Sequence, residues 1–306
     1  MEQRRRVRTR RTDRRSGRQQ ILLLAAVAGC MVVLALPSVW WLTGRIEAPA
    51  GQALYQFNTQ DYHSLAFDPV DVNTVYFGHH DGLKVSHDAG ASWQDAALSR
   101  VDAMQLVMPS NAPERRYAAG HDVFYISTDG GESWREQMND LPGLDLHAFA
   151  GSPTDPNRLY TVPMGNGLWT SADGGTAWNE TTMPPGAEAQ PIALAVSPSD
   201  PEIVYLARNG EIAKSTDRGM TWQSEPGPGG MIITLAVAND SDETLFVGTM
   251  QGLYRQEGSW SRLALEPDGA VVAVALSADE PARVAVIDAR GNVYRSDDAG
   301  DTWQTR

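Results

Sequence analysis

"STDGGESW", residues 127–134, packs a hydroxyl, an acid, two glycines and a tryptophan into eight positions. Near-copies stand at "SHDAGASW" (86–93), "SADGGTAW" (171–178), "STDRGMTW" (215–222) and "SDDAGDTW" (296–303). With Trp260 added, the unit recurs Trp to Trp at 93, 134, 178, 222, 260 and 303, at spacings of 41, 44, 44, 38 and 43. A period near 40 residues made of short strands predicts propeller blades.

Working outward from the motif, each unit opens on a short apolar stretch: "HSLAF", "MQLVM", "HAFAG", "IALAV", "ITLAV" and "VAVAL". A turn with Asp or Pro follows in most units. A second strand comes next: "VYFGH", "RYAAG", "LYTVP", "VYLAR", "LFVGT" or "VAVID". A Gly or polar turn leads to a third strand that ends in the motif, and the fourth strand starts at or just after the Trp. Four short strands per unit make one blade. The fifth unit departs: "YRQEGSWSR" has no Ser-x-Asp-x-Gly but keeps Trp260. The sixth unit stops at Arg306, too soon after Trp303 for a full outer strand. "ALYQFN", residues 53–58, reads as a strand that completes this last blade and closes the ring, which removes exposed sheet edges. The expected fold is all-β: a six-bladed propeller of four-stranded repeats over 61–306, with a linker and ring-closing strand at 44–60.

The pattern Ser-x-Asp-x-Gly-x-x-Trp, at regular spacing, resembles the Asp-box (BNR) repeat proteins, which include sialidase-type propellers, sortilin-like domains and photosystem II assembly propellers. The resemblance covers about residues 53–306. It implies that the box is the hairpin between the third and fourth strands. The Asp side chain then accepts hydrogen bonds from turn N–H groups, Gly takes a positive-φ position, and Trp packs between neighbouring sheets. Five copies at five places around a ring cannot converge on one substrate. Asp88, Asp129, Asp173, Asp217 and Asp298 are therefore structural.

Charge is unevenly spread. Residues 1–20 carry nine Arg against two acids, a local +7, whereas the whole chain is −13, which leaves −20 for the remainder. That acidic body excludes nucleic acid as a partner. Residues 21–42, "ILLLAAVAGCMVVLALPSVWWL", form an uncharged apolar run, and a bilayer takes roughly 20 residues to span. Arg on one side and Trp40 and Trp41 on the other predict a basic cytoplasmic head (1–20), a transmembrane anchor (21–43) and a body outside the cytoplasm, attached to the membrane by a single pass. "VAGC", ending at Cys30, also resembles a lipobox. The dozen apolar residues after it argue for an uncleaved anchor, since a lipoprotein usually continues with a polar tether. Cys30 is the sole cysteine, so no disulfide forms in the body.

In a propeller blade the innermost strand starts, and the second strand ends, on the face opposite the Asp boxes, where ligands usually approach. The first column reads His63, Met104, His147, Ile192, Ile233 and Val272. The second reads His80, His121, Met164, Arg208, Met250 and Asp288. All six His (63, 79, 80, 87, 121 and 147) lie in the first three units. Imidazole with thioether suits copper, and imidazole with carboxylate suits zinc. His63, His80, His121 and His147, with Met104 and Met164, are the candidate metal ligands. The ordinary reading of each alone is a hydrogen-bonded polar residue or packing filler. Asp61, Asp81, Asp102, Asp122 and Asp145 flank the cluster as orienting groups or turn caps.

"HSLAFDP", "GHHDGL", "AGH" and "LHAFA" resemble a bacterial subgroup of Asp-box proteins labelled glycosyl hydrolases, a label that follows the repeat. A sialidase of the family would need three Arg converging on a carboxylate and a Tyr–Glu pair. The columns offer only Arg208, and the Phe/Tyr-Arg-Ile-Pro motif is absent. Other glycosidases need two facing carboxylates, for which Asp81, Asp122 and Asp145 are the candidates. The expected function is a non-catalytic binding or assembly module for a protein partner, with copper or zinc on the His/Met face. A carbohydrate-active hydrolase using acids on that face is the alternative. For the topology, protease added to intact spheroplasts should remove the body; a body protected until lysis overturns the assignment.

Overall fold

A computed structural model describes residues 52–59, 61–186 and 193–304, within the compact unit Pro49–Arg306. The basic head, the anchor, most of the linker and Ile192 lie outside the described residues. No helix among the described residues is long and apolar enough to cross a membrane.

The described strands form six four-stranded antiparallel sheets. The second strands fall residue for residue where the sequence places them: Val75–His79, Arg116–Gly120, Leu159–Pro163, Val204–Arg208, Leu245–Thr249 and Val284–Asp288. Five blades take their strands in chain order from one repeat. The sixth takes Val271–Leu276, Val284–Asp288 and Asn292–Ser296 from the C-terminal end and Tyr55–Gln56 from the other. Tyr55 pairs with Val293 and Gln56 with Asn292. Leu54 N–H donates to Val293 O and Phe57 N–H to Gly291 O, which extends the seam. Phe57 then stacks on Phe77 of the first blade at 4.2 Å between centroids.

Among the described residues the apolar core is divided into six clusters, and each joins two neighbouring blades. A strand buried on both faces reads as a continuous apolar run, which explains "VYLA" and "LFVG". One repeat Trp enters each cluster. Trp93 packs at the sixth–first interface, Trp134 at the first–second, Trp178 at the second–third, Trp222 at the third–fourth, Trp260 at the fourth–fifth and Trp303 at the fifth–sixth.

The Asp boxes are the expected hairpins. In the second blade Ser127 Oγ donates to Asp129 Oδ1 at 2.7 Å, and Ser133 N–H donates to the same oxygen at 2.9 Å. Gly131 N–H closes on Ser127 Oγ at 2.8 Å, with Gly131 at φ 86°, a conformation that favours glycine. Trp134 Nε1 donates to Gly131 O at 3.2 Å. The serine of the box is the buried member: Ser86, Ser127, Ser171, Ser215 and Ser296 are all 1% exposed or less. The fifth blade replaces the box with a tight turn at Gly258 (φ 71°) between Glu257 and Ser259, and Trp260 still reaches Pro226 O at 2.9 Å.

Hydrogen bonds from the Ser133 hydroxyl and N–H, then from Ser127, hold the Asp129 carboxyl down to about 2. At Asp88, Asp173 and Asp298 burial pushes the carboxyl up, but box hydrogen bonds outweigh it and the net direction is down. Carboxyls lowered in the fold stabilise it above the unfolded value of 3.8, and that stability is lost as pH falls toward 2. Trp178, only 5% exposed, should cost about 3–5 kcal/mol when replaced by Ala. The half-buried Trp134 should cost less, and Asp129→Ala less again, with its deficit vanishing below about pH 2. Chemical denaturation across pH checks all three. An Asp129→Ala chain as destabilised as Trp178→Ala would refute this ranking.

Candidate functional site

The innermost strands of all six blades surround a cavity of about 380 Å³, walled mostly by Ala, Val and Leu, with His63 and His147 among its lining. Four histidines converge beside it. His63 stands one residue before the strand Ser64–Phe67, and His147 lies in Leu146–Gly151. His80 and His121 open the two-residue turns His80–Asp81 and His121–Asp122, which follow the first and second blades' second strands. His63 Nε2 lies 3.2 Å from His80 Nε2, and His121 Nε2 lies 3.0 Å from His147 Nε2. The His80 and His121 rings stack at 6.0 Å, 6° apart in plane, so the two pairs form one row.

Backbone contacts between blades set this geometry. Ala103 N–H donates to His79 O and Arg100 N–H to Asp81 O, which fastens the entry of the second blade to the turn of the first. One blade further on, Asp122 N–H donates to Leu144 O, and His121 bridges Asp145. Gly120 is required by close approach: a Cβ there would lie 1.9 Å from Asp102 O. Entry residues of one blade are thereby pressed against the histidine turn of the preceding one.

Two entry aspartates result in the row. Asp102, 15% exposed, accepts a short hydrogen bond from His121 Nδ1 on Oδ2. Its Oδ1 lies 2.7 Å from His80 Nδ1 without hydrogen-bond alignment. Asp145 Oδ1 is 2.9 Å from His147 Nε2 and 3.5 Å from His121 Nε2. Asp61 Oδ2 lies 3.3 Å from His80 Nε2 at the other end.

Of the residues singled out in the sequence, the structure brings together His63, His80, His121 and His147 with the flanking acids Asp61, Asp102 and Asp145. Asp81 and Asp122 stand exposed on turn tips, because adjacent residues of a tight turn diverge; Asp122 sits at φ 55°. Met104 is 8% exposed in the interior, while the Met164 side chain is 57% exposed and its N–H donates to Asp145 O. His79 and His87 have other roles: His79 Nδ1 accepts from Asp81 N–H, and His87 Nδ1 pairs with Thr74 Oγ1. Asp288 is a fully buried loop organiser that accepts from Asp268 N–H, Asn292 and the Tyr294 hydroxyl. Asp102 takes the orienting role expected of the flanking acids, and its place between His80 and His121 is what the structure adds. Its signal is Asp-x-His or Asp-x-Met at Asp61–His63, Asp102–Met104 and Asp145–His147, where residues two apart share one side of an extended chain.

Residues 122–247 match the family model described as sortilin, neurotensin receptor 3. The chain is a propeller with Asp-box hairpins and is similar to BNR-like propellers, with glycoside hydrolases among its relatives. It is 30% identical to a xyloglucanase of Paenibacillus sp. over 218 residues, 60% of this chain and 19% of that protein. It is 28% identical to the xyloglucanase Xgh74A of Acetivibrio thermocellus over 190 residues, 55% of this chain and 20% of the other. The chain thus spans about a fifth of the length of these curated relatives. Among solved structures, an ancestral GH74 enzyme aligns with TM-score 0.55 and 15% identity, over 84% of this chain and 41% of that one. YCF48 bound to D1 peptide aligns with TM-score 0.52 and 17% identity, over 85% of both chains. The structural likenesses show the propeller fold.

Burial first, then the neighbouring His80, lowers His63 below 6.5, and burial chiefly lowers His79. A histidine lowered in the fold stabilises it above the unfolded value, and that stability is lost as pH falls through the folded value. The melting temperature in chelator should therefore drop between about pH 7 and about pH 5, and His63→Ala should flatten the drop. An unchanged slope in His63→Ala would show that folding does not lower the His63 imidazole.

Proposed function

We propose that this propeller is a non-catalytic binding module that docks a polypeptide segment of a partner protein on its channel-mouth face, with residues 21–43 anchoring it in a membrane and its body outside the cytoplasm. The observation that carries this reading is the pairing at the mouth: each acid converging there, Asp61, Asp102 and Asp145, lies within ion-pair distance of an imidazole. Glycoside hydrolysis needs one carboxyl held as an acid and a second as nucleophile or base across the scissile bond. Asp81 and Asp122 stand exposed on turn tips, outside the enclosure that usually holds a catalytic acid.

Two further observations support docking. Met164, Met231 and Met250 are all about half exposed or more, at blade positions on or beside this face. Flexible thioether side chains suit adaptable protein contact. The ring also matches the peptide-bound YCF48 over most of both chains, whereas it covers less than half of the ancestral GH74 enzyme. Carbohydrate binding or hydrolysis is the second reading, favoured by the identity to xyloglucanases.

A photo-crosslinker at Met250, on the mouth face, and one at Met220, in an Asp box on the opposite face, separates the readings in native membranes. Docking predicts a discrete crosslinked protein from Met250 and none from Met220. Release of reducing ends from xyloglucan by the wild-type chain, lost in Asp145→Ala, would overturn the non-catalytic reading.

A further inference from the structure

We propose that the channel mouth binds a divalent transition-metal ion on His121 Nε2, His147 Nε2 and Asp145 Oδ1, with one coordination position left open. This goes beyond the docking reading and stands on the local geometry alone. The three atoms are 3.0, 2.9 and 3.5 Å apart. Zinc holds imidazole nitrogen at about 2.0–2.1 Å, so two ligands on a tetrahedral ion are separated by about 3.3–3.4 Å. Small side-chain movements suffice to admit the ion.

Polar pairing joins the two imidazoles through Nε2 at 3.0 Å but leaves the acid between them without a donor. Asp145 Oδ1 has almost no solvent access and no aligned hydrogen-bond donor, although His147 Nε2 is 2.9 Å away. A buried acceptor normally finds a donor, and leaving it without one is costly. A neutral His121 that donates from Nδ1 to Asp102 presents a lone pair at Nε2. Two imidazole nitrogens and an orphaned carboxylate oxygen therefore face a shared point, the arrangement a cation satisfies.

Asp102 supplies the orienting contact outside the donor set. A metal-bound histidine usually donates its second ring N–H to a carboxylate, which fixes the tautomer and the ring. Asp102 does this for His121 before any ion arrives. It is a positioning residue, since its Oδ2 is committed to Nδ1 on the far side of the ring. The donor set decides the metal class. Nitrogen and carboxylate oxygen suit Zn(II) and its neighbours, whereas Cu(I) prefers sulfur, and Met104 is buried away from solvent at 8% exposure.

His63, His80 and Asp102 form a second trio of possible ligands. They are less well built for an ion, because Asp102 is already engaged with His121. This asymmetry makes the assignment testable within one molecule.

The test is equilibrium dialysis of the full-length chain against Zn(II), with metal content measured per chain and circular dichroism confirming the fold of each variant. The expected result is one tight ion per chain, bound at micromolar concentration or below. His147→Ala should weaken binding at least tenfold, and His63→Ala by less than threefold. Asp102→Asn should weaken it about 10–100-fold and shift the visible bands of the Co(II)-loaded chain, because His121 loses its orientation. Absence of saturable Zn(II) binding below millimolar overturns the proposal. Equal losses in His63→Ala and His147→Ala overturn the assignment to this trio.

Discussion

The sixth blade makes three strands from its own end of the chain, and Tyr55–Gln56 supplies the fourth. The cluster between the sixth and first blades depends on that closure, since a propeller core consists of interfaces and an open ring leaves one wedge facing water. The closing strand also delivers Phe57 into the wedge between the sixth and first blades, where it stacks on Phe77 and contacts Trp93. Asp61 and His63 follow within a few residues. The seam that closes the ring therefore also sets where the histidine row begins.

The two faces of the ring use their turns differently. On one face the box is repeated with the same Ser–Asp–Gly hydrogen bonds in five blades, and the fifth blade shows that the Trp wedge survives without them. On the other face the equivalent turns diverge. The column that holds His80 and His121 holds Arg208 in the fourth blade, where the guanidinium donates to Pro185 O, and the fully buried Asp288 in the sixth. Repetition on one side supplies the rigid frame. The opposite side is free to carry different chemistry in each sector.

The fold was legible because its signals are local and repeated. Period, turn chemistry and apolar runs all point to four-stranded blades, and the second strands were readable to the residue. The histidine sector was legible because blade register places strand ends on one face. Asp102 was legible as an acid flanking the cluster but its central place was not, since its partners come from the turns of the first and second blades while it stands three residues before the strand Gln105–Val107. Asp81 and Asp122 stood out because each follows a histidine in sequence, yet a tight turn sends neighbours apart. Met104 shared a column with His63 and His147 but is buried: column position fixes where a residue starts, and packing decides where its side chain goes.

The acidic body gives the row its electrostatic character. Three carboxylates at the mouth face four imidazoles, and neutral imidazoles leave that sector net negative. A negative, partly desolvated patch favours a cationic ligand, whether an ion or a basic side chain of a docking segment. The shared position of Asp102 couples the two ends of the row. The row thus runs continuously across the first three blades, built on contacts that exist only when those blades are stacked.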